Sequence, residues 1–441
     1  MRSTDPRRLL MISTHGYVSA RPELGLPDTG GQVVYILELA KHLASLGHEV
    51  DLLTRHFEDQ PAVEPITAAV RLLRFPCGGR QFIPKETLVA HLDEWCECVE
   101  RFIRASDRSY WLINSHYWDA GFAGRRLAGR LGIPHVHTPH SLGVWKQRAM
   151  DGAASDAEPD YNFRQRITEE QRVCAQADAL IATTRQQAEL LASDYGVDGD
   201  RLHEIPPGYD ESRFYPVTGE ERSKIRRRLG WDHPVVLALG RIAANKGFDL
   251  LIQAMPTVLS RTPNARLYLA IGSSQPIEPE RAALDRLAEQ ARSAGVEKNV
   301  EFRGHIPDLE LADWYRAADV FALSSRYEPF GMTAVEAMGC GTPCVVTSRG
   351  GLCPAIRQGI DAICADPLDP EGFGHSLSTV LRHEAVRRQL SECGAAKVQA
   401  GFTWSNVARQ MVGAFAAAEA YAAGSDGHGG RRPSRRSVAL T

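Results

Sequence analysis

Two cations five residues apart, Arg241 and Lys246, have the types and the spacing that chemistry on a phosphate would need. Arg241 follows a strand-like run, Lys246 precedes a helical one, and glycines lie at both ends of the connecting loop. Guanidinium and ammonium groups placed in this way would bind a diphosphate and stabilise the negative charge that grows on it as it leaves. Most lysines and arginines are only solvated, but this position favours a functional role.

Two carboxylates eight residues apart, Glu328 and Glu336, follow in the next strand-to-helix segment. Glu328 precedes Pro-Phe-Gly, and Glu336 lies within the helix that Gly331 introduces. Carboxylates accept hydrogen bonds from vicinal hydroxyls, and the amides of a helix start attract a phosphate. A capped helix with a solvated glutamate face is the alternative, but it does not explain a loop glutamate before Pro-Phe-Gly.

A glycine pair near the N-terminus, Gly30 and Gly31, precedes Gln32 and opens a helix. Such a pair lets the backbone approach a ligand closely, although a simple turn would use it as well. The chain lacks a full Gly-x-Gly-x-x-Gly fingerprint at this point, which argues against a nicotinamide enzyme.

Short apolar runs alternate with amphipathic stretches in both halves of the chain, which predicts an α/β protein with two doubly wound parallel sheets. Pro206-Pro207-Gly208 forms a natural hinge between them. Because ligands bind outside the carboxyl ends of such strands, the two domains are expected to face each other across one cleft. The predicted divisions are two Rossmann-like domains, a C-terminal helix that packs back on the first domain, and a disordered tail: 1–208, 209–403, 404–423 and 424–441.

Composition excludes several classes of protein. The 441 residues carry a formal net charge of −3, so no global positive field exists to bind nucleic acid or an anionic membrane. No apolar run is long enough to span a bilayer and the N-terminus lacks a signal-peptide core, so we expect a cytoplasmic protein. The nine cysteines lack disulfide or zinc spacing and are expected to be reduced and mostly buried.

Taken together, the pair Glu328 and Glu336, the cations Arg241 and Lys246, and the glycines near the start resemble the signature of retaining GT-B glycosyltransferases of the sucrose-phosphate synthase type. The resemblance covers the chain from about His15 to Trp404. It implies the GT-B fold and transfer of a hexose from a nucleotide-sugar. It also implies that the first domain, 1–208, binds the acceptor and that the second, 209–403, binds the nucleotide-sugar.

Several segments resemble the mannosylfructose-phosphate synthase branch of that family more closely than typical sucrose-phosphate synthases. Gly350-Gly351-Leu352 also replaces the Gly-Gly-Pro common in the latter. The resemblance implies GDP-mannose and fructose 6-phosphate as substrates, with UDP-glucose and fructose 6-phosphate as the alternative pair. The segments begin at Gly25, Thr54, His116 and His137 and read GLPDTGGQVVY, TRHFED, HYWDAG and HTPHSLG.

The same resemblance assigns roles to individual residues. Arg241 and Lys246 would hold the diphosphate, Glu336 the ribose diol and Glu328 a hydroxyl of the donor hexose. His140 would lie near the reacting carbon, although a histidine that caps a strand end is the structural alternative, and each lysine alone is more often a surface residue. The donor set is Gly31, Arg241, Lys246, Glu328, Phe330, Gly331, Met332, Thr333 and Glu336, and the acceptor set is Gly30, Gly31, Gln32, Lys85, Tyr117, Ser141 and Lys146.

No metal ligand set and no tightly bound cofactor is predicted, while assistance by Mg²⁺ and the oligomeric state stay open. A nucleotide-sugar epimerase would need acid and base carboxylates at the sugar and no phosphate cradle; Lys85 and Lys146 argue against it. A sugar-phosphate sensor without catalysis is the other rival. The resemblance implies retention of the anomeric configuration. The sequence shows no evident covalent nucleophile and no pair of acids that flanks the bond, so we expect the leaving phosphate to take the acceptor proton.

Overall fold

The computed structural model of the chain describes residues 7–22, 28–150, 162–273 and 278–427. The chain forms two compact units. The first extends to Pro206 and resumes at Trp404, and the second extends from Pro207 to Thr403. The boundary thus lies at the prolines, which fix the backbone and interrupt regular structure.

The first unit contains one sheet with the strand order β3-β4-β2-β1-β5-β6-β7-β8. Its strands are β1 (Arg8–Ile12), β2 (Glu49–His56), β3 (Val63–Thr67), β4 (Val70–Pro76), β5 (Leu112–His116), β6 (His135–Thr138), β7 (Ala179–Ala182) and β8 (Leu202–Glu204). Neighbouring strands are parallel except β3, which pairs antiparallel with β4. Only a short turn separates β3 from β4, which leaves no room for the crossover that a parallel pair needs.

Helices connect the parallel strands of the first unit. They are α1 (Gly31–Ser45), α2 (Lys85–Leu88), α3 (Leu92–Ala105), α4 (Trp118–Leu131), α5 (Gly143–Met150), α6 (Phe163–Gln176) and α7 (Arg185–Ser193). α1 buries its apolar face through Val33, Ile36, Leu37, Ala40 and Leu43, the residues whose helical spacing predicts it.

The second unit contains a sheet with the order β11-β10-β9-β12-β13-β14, and every neighbouring pair is parallel. Its strands are β9 (Val235–Gly240), β10 (Arg266–Ile271), β11 (Val300–Arg303), β12 (Val320–Leu323), β13 (Cys344–Thr347) and β14 (Ile363–Ala365). Its helices are α8 (Gly219–Leu229), α9 (Phe248–Arg261), α10 (Glu278–Ser293), α11 (Asp308–Ala317), α12 (Met332–Gly339), α13 (Pro370–Arg382) and α14 (Glu384–Gly401).

The strand order places one reversal point in each sheet. In the first unit the chain moves outward from β1 in one direction and from β5 in the other, and in the second unit β9 and β12 have the same relation. Neighbouring connections diverge at such a point and leave a crevice at the carboxyl ends of the two strands. The candidate residues of each unit should therefore lie after these strands.

The final helix, α15 (Trp404–Gly427), belongs to the first unit. The Trp404 ring packs edge-on against Tyr35 of α1 with centroids 5.1 Å apart, and Phe415 packs edge-on against Trp111 at 6.0 Å. The disordered tail predicted from residue 424 was wrong at its start, because the helix continues through Gly427. The remainder, 428–441, lies outside the described residues.

A disulfide joins Cys353 and Cys364, whose Cα atoms are 5.9 Å apart. The prediction that all nine cysteines are reduced was therefore wrong for this pair. Cys353 and Cys364 are 11 residues apart, and their spacing alone does not indicate a bond. The fold brings them together because Cys353 lies in a short turn that packs against β14, the strand that contains Cys364. The other cysteines are free: Cys77, Cys96, Cys98, Cys174, Cys340, Cys344 and Cys393.

Candidate active site

The loop between β9 and α9 carries the two predicted phosphate-binding cations. Arg241 directly follows β9, and Lys246 ends a short 3-10 turn. Gly247 then adopts φ +66°, and a Cβ at this position would lie 2.1 Å from the carbonyl oxygen of Ser324. Only glycine permits this approach, so the loop is held directly against the carboxyl end of β12.

Lys246 forms an ion pair with Glu328, the loop carboxylate predicted from a separate segment. Lys246 Nζ lies 2.7 Å from Glu328 Oε2, and the hydroxyl of Ser325 donates to the same oxygen at 2.9 Å. The backbone of Glu328 is fixed as well, because its carbonyl accepts a hydrogen bond from the amide of Gly351 at 3.1 Å. Among the described residues Glu328 Oε1 accepts no hydrogen bond, which leaves this oxygen for a ligand hydroxyl.

Arg241 differs from Lys246 in its surroundings. Its side chain is exposed, and within the described part of the chain it forms no ion pair. Among the described residues, no hydrogen bond or ion pair joins Arg241 to Lys246 or Glu328. An exposed guanidinium with five N–H donors can turn towards an incoming phosphate.

The start of α12 offers amide groups beside this pair. Gly331 precedes the helix with φ +112°, and a Cβ there would lie 2.8 Å from Leu323 at the end of β12. Phe330 is buried, while Met332 and Thr333 form the first turn, whose amides have no partner within a helix. These groups form an anion-attracting helix start next to Glu328 in sequence.

Glu336 lies farther along α12 and is partly buried. Burial raises the pKa of its carboxyl to about 7, although the hydrogen bond that Tyr315 donates and the nearby Arg213 act in the opposite direction. The hydroxyl of Tyr315 lies 2.9 Å from Glu336 Oε2. A ligand that donates hydroxyl hydrogen bonds here would stabilise the charged form.

The carboxyl ends of β1 and β5 bring together three buried side chains that the sequence reasoning missed. His15 Nδ1 lies 2.9 Å from Asp119 Oδ2, and Thr14 donates to the same oxygen at 2.7 Å. The carboxylate fixes the orientation of the imidazole, with a proton on Nδ1. Thr14 and His15 follow the buried strand β1, and Asp119 lies at the start of α4. These positions in the sequence could have identified them as candidate site residues.

His140 follows β6 and adopts φ 58°. Its Nε2 lies 3.0 Å from Nδ1 of His116, the last residue of β5. Burial, together with His137 and His15, lowers the pKa of His140 to about 3. The ring is therefore neutral near pH 7 and acts through a hydrogen bond rather than through charge.

Gly30, Gly31 and Gln32 lie at the start of α1, beside these histidines. Gly30 caps the helix with extended backbone, and Gly31 is its first residue. The Gln32 amide lies 3.4 Å from the hydroxyl of Ser13 and 3.4 Å from the carbonyl oxygen of His116. The structure thus brings Gln32 close to the His116–His140 pair.

Lys85 has carboxylate neighbours in the structure. It forms an ion pair with Asp28, and its ammonium lies 3.1 Å from Glu86. Burial lowers the pKa of Lys85, but the attraction of Asp28, together with Tyr117 and Glu86, outweighs it and leaves the pKa raised. Lys85 is thus a fixed cation, half-buried at the start of α2.

Ser141 and Tyr117 both contact Arg166, a buried residue of α6 that the sequence reasoning missed. Arg166 donates to the carbonyl of Ser141 at 2.9 Å and to its hydroxyl at 3.2 Å, and its guanidinium lies 4.9 Å from the Tyr117 ring centre. Glu170, one turn along, binds it at 2.8 Å. Lys146 lies on α5.

No described group of three or more His, Cys, Asp or Glu side chains is arranged to hold a metal ion. Among the helices of the described ranges, none has the length and apolarity needed to cross a membrane.

Comparison with known proteins places these residues in a family. The family described as "Glycosyl transferases group 1" matches residues 221–397, and "Glycosyltransferase Family 4" matches residues 29–213. A mannosylfructose-phosphate synthase of Agrobacterium fabrum is 52% identical over 92% of this chain and 90% of its own. The chain belongs to this glycosyltransferase family.

This glycosyltransferase has further relatives of known name. A D-inositol 3-phosphate glycosyltransferase of Xylanimonas cellulosilytica is 35% identical over 95% of this chain and 98% of its own. The structure of a sucrose-phosphate synthase from Thermosynechococcus elongatus aligns with a TM-score of 0.82 and 30% identity over 93% of this chain and 98% of that chain. The catalytic domain of starch synthase IV from Arabidopsis thaliana, at 15% identity and a TM-score of 0.67 over 94% of this chain and 100% of that chain, shares the fold alone.

These findings confirm the predicted GT-B fold and a hexosyltransferase that uses a nucleotide-sugar. The two sheets are the part of the prediction that the geometry itself displays, whereas the Lys246–Glu328 ion pair was not predicted. The binding roles of the individual residues, Lys246 and Glu328 included, stay predictions.

Proposed function

We propose that this glycosyltransferase transfers mannose from GDP-mannose to fructose 6-phosphate with retention of configuration. The observation that carries the proposal is the 52% identity to a mannosylfructose-phosphate synthase over nearly the whole of both chains. The matched length, 92% of this chain, includes residues of both units.

The second unit is proposed to bind the donor. Lys246, fixed by its 2.7 Å ion pair with Glu328, would meet the diphosphate, and the exposed Arg241 would close on it. Glu328 Oε1 would accept from a hydroxyl of the hexose and Glu336 from the ribose. Because the loop is already ordered by Gly247, little reorganisation accompanies the growth of charge on the leaving group.

The first unit is proposed to bind the acceptor. The names of the mannosylfructose-phosphate synthase, the D-inositol 3-phosphate glycosyltransferase and the sucrose-phosphate synthase each contain a phosphorylated sugar or polyol, so a phosphate is their shared feature. Lys85, with Ser141 and Lys146, would supply the donors for such a phosphate, while Gln32 and Tyr117 would orient the sugar. The acceptor set proposed here is the one predicted from the sequence. We expect Asp28, through its ion pair, to hold the Lys85 ammonium in place.

The proposed reaction uses orientation and electrostatics instead of a covalent intermediate. The C1–O bond to GDP breaks as the acceptor hydroxyl attacks from the same face, and the leaving phosphate oxygen takes the hydroxyl proton. His140, neutral at working pH, would offer a hydrogen bond to the transferred sugar. The protein's share is to position both substrates and to stabilise the departing diphosphate.

A substrate panel tests the proposal. The chain is incubated with GDP-mannose, UDP-glucose or ADP-glucose, each with and without fructose 6-phosphate, and products are identified by mass spectrometry. We expect a disaccharide phosphate only from GDP-mannose with the acceptor. Conversion of a donor alone would indicate the epimerase, and binding of fructose 6-phosphate without product from any donor would indicate the sensor. Adding or chelating Mg²⁺ in the same assay decides whether the ion assists.

A second candidate, sucrose-phosphate synthesis from UDP-glucose, is favoured by the TM-score of 0.82 to a protein of that name. The same panel separates the two, because a glucose-containing product from UDP-glucose, with none from GDP-mannose, would replace the first proposal by the second.

The donor roles are tested by Lys246→Ala and Arg241→Ala. Removal of a preorganised charge-stabilising group costs about 10²-fold or more in turnover, so each variant should lose that much. Lys298→Ala, an exposed lysine of the same unit, is the matched control and should keep wild-type turnover. Wild-type rates in either test variant would refute its assignment.

A further inference from the structure

His116 and His140 form a pair of imidazoles at the carboxyl ends of two neighbouring strands. Nδ1 of His116 lies 3.0 Å from Nε2 of His140, and the rings are 5.2 Å apart with their planes 30° from parallel. Tyr35 packs edge-on against the His140 ring at 4.7 Å, and the Gln32 amide reaches the carbonyl of His116. Contacts on several sides thus hold the pair.

The two rings share one proton in their contact, so one ring donates and the other accepts. Burial lowers the pKa of both side chains, which keeps both rings neutral with one N–H each. Two arrangements are then possible, one with the proton on His116 Nδ1 and the other with it on His140 Nε2.

The far nitrogen of His116 distinguishes the arrangements. His116 is fully buried, and its Nε2 has no hydrogen-bond partner among the described residues. If His140 donated, His116 would have to carry its own proton on Nε2, as a buried N–H without an acceptor. Orphaned buried N–H donors are rarer than unsatisfied acceptors, so His116 donates from Nδ1 and leaves only a bare nitrogen unpaired.

We propose that His116 is a positioning residue that holds His140 in the tautomer with its proton on Nδ1. His140 Nε2 is occupied by His116, while Nδ1 has no partner in the described part of the chain. The atom of His140 available to a substrate is thus a neutral N–H donor, suited to a hydroxyl oxygen of the transferred sugar. This role rests on the proposed function, in which His140 contacts that sugar.

Three substitutions at position 116 distinguish the hydrogen-bonding role of His116 from the space that its side chain fills. Asn places an amide N–H near the place of Nδ1, Gln places it near Nε2, and Leu removes the donor. We expect His116→Asn to keep turnover within about threefold, whereas His116→Gln and His116→Leu lose about 10-fold to 100-fold, as partners that orient a working histidine do. Because His116 is not assigned to substrate binding, KM for either substrate should change little.

The tautomer itself is measured without turnover. Two-bond ¹H–¹⁵N spectra of histidine-labelled wild-type protein, with His140→Gln to assign the signal, should show His140 protonated on Nδ1. A proton on Nε2, or full turnover in His116→Leu, would overturn the proposal. If His140→Gln keeps full turnover while the wild-type spectrum shows Nδ1–H, the proposed role of His140 fails and the positioning by His116 stands. The spectrum also decides the matter should the Leu variant not fold.

Discussion

Glu336 offers a prediction whose size follows from the structure. Its pKa in the folded chain is about 7, against an ordinary value of 4.5. The folded chain therefore binds a proton at pH values where the unfolded chain has released it, and stability falls as pH rises from 4.5 to 7. A shift of one pKa unit corresponds to about 1.4 kcal/mol, so the free energy of unfolding above pH 7 is lowered by at most about 3 kcal/mol. The partial exposure of the side chain makes the real value smaller.

Glu336→Gln keeps the shape of the side chain and removes the charge. At pH 8.5 the variant should be more stable than the wild type by about 1–3 kcal/mol, and for a unit of this size that raises Tm by several degrees. At pH 4.5 the two should differ little, because the wild-type carboxyl is then protonated in the folded chain. Thermal melts followed by circular dichroism at both pH values measure the difference.

A control and an activity measurement complete the test. Glu392→Gln changes an exposed glutamate of α14 and should leave Tm within about 1 °C at both pH values, as surface substitutions usually do. If Glu336 also binds the ribose, the stabilised variant should show a KM for GDP-mannose that is raised about 10-fold or more, since hydrogen bonds to a charged group contribute about 1.5–3 kcal/mol. A Tm difference that is equal at pH 4.5 and pH 8.5 would refute the reasoning from the buried charge.

Three further predictions concern other parts of the two units. Gly247→Ala should destabilise the second unit by more than about 2 kcal/mol in denaturant titrations, because its Cβ would lie 2.1 Å from the carbonyl oxygen of Ser324; an unchanged midpoint would contradict the close approach. Reduction of Cys353–Cys364, which are 11 residues apart, should lower stability by about 3 kcal/mol on the chain-entropy account, and Cys353→Ser should remove the effect of reductant on Tm. Lys85→Ala should raise KM for fructose 6-phosphate about 10-fold or more while KM for the donor stays the same, a split that mere unfolding would not give.

The sequence predicts the fold well where periodicity is strong. The runs that become β9 and β12 are apolar throughout because both faces of a central parallel strand are buried, and α1 shows its apolar face at helical spacing. β3 was missed because Pro65 and alternating exposure make an edge strand look like a loop. The length of α15 was underestimated because its end is rich in glycine and serine.

The sequence proposes candidate residues for the site but does not predict which of them form pairs. Lys246 and Glu328 are 82 positions apart, and only the adjacency of β9 and β12 brings them into contact. The same holds for His15 with Asp119, whose polar side chains lie within otherwise apolar segments. The spacing of residues along the chain indicates which helix, strand or loop carries each of them. The order of the strands in the sheet determines which residues come into contact.

The return of α15 to the first unit affects the order in which the chain can be completed on the ribosome. Tyr35 emerges early, yet Trp404, which covers its ring, is translated only after all of 207–403. A nascent chain therefore carries an apolar surface on α1 that stays open while an entire second sheet is synthesised. Expression of 1–206 alone would leave that surface permanently uncovered, so a workable isolated first unit needs 404–427 joined to it by a short linker.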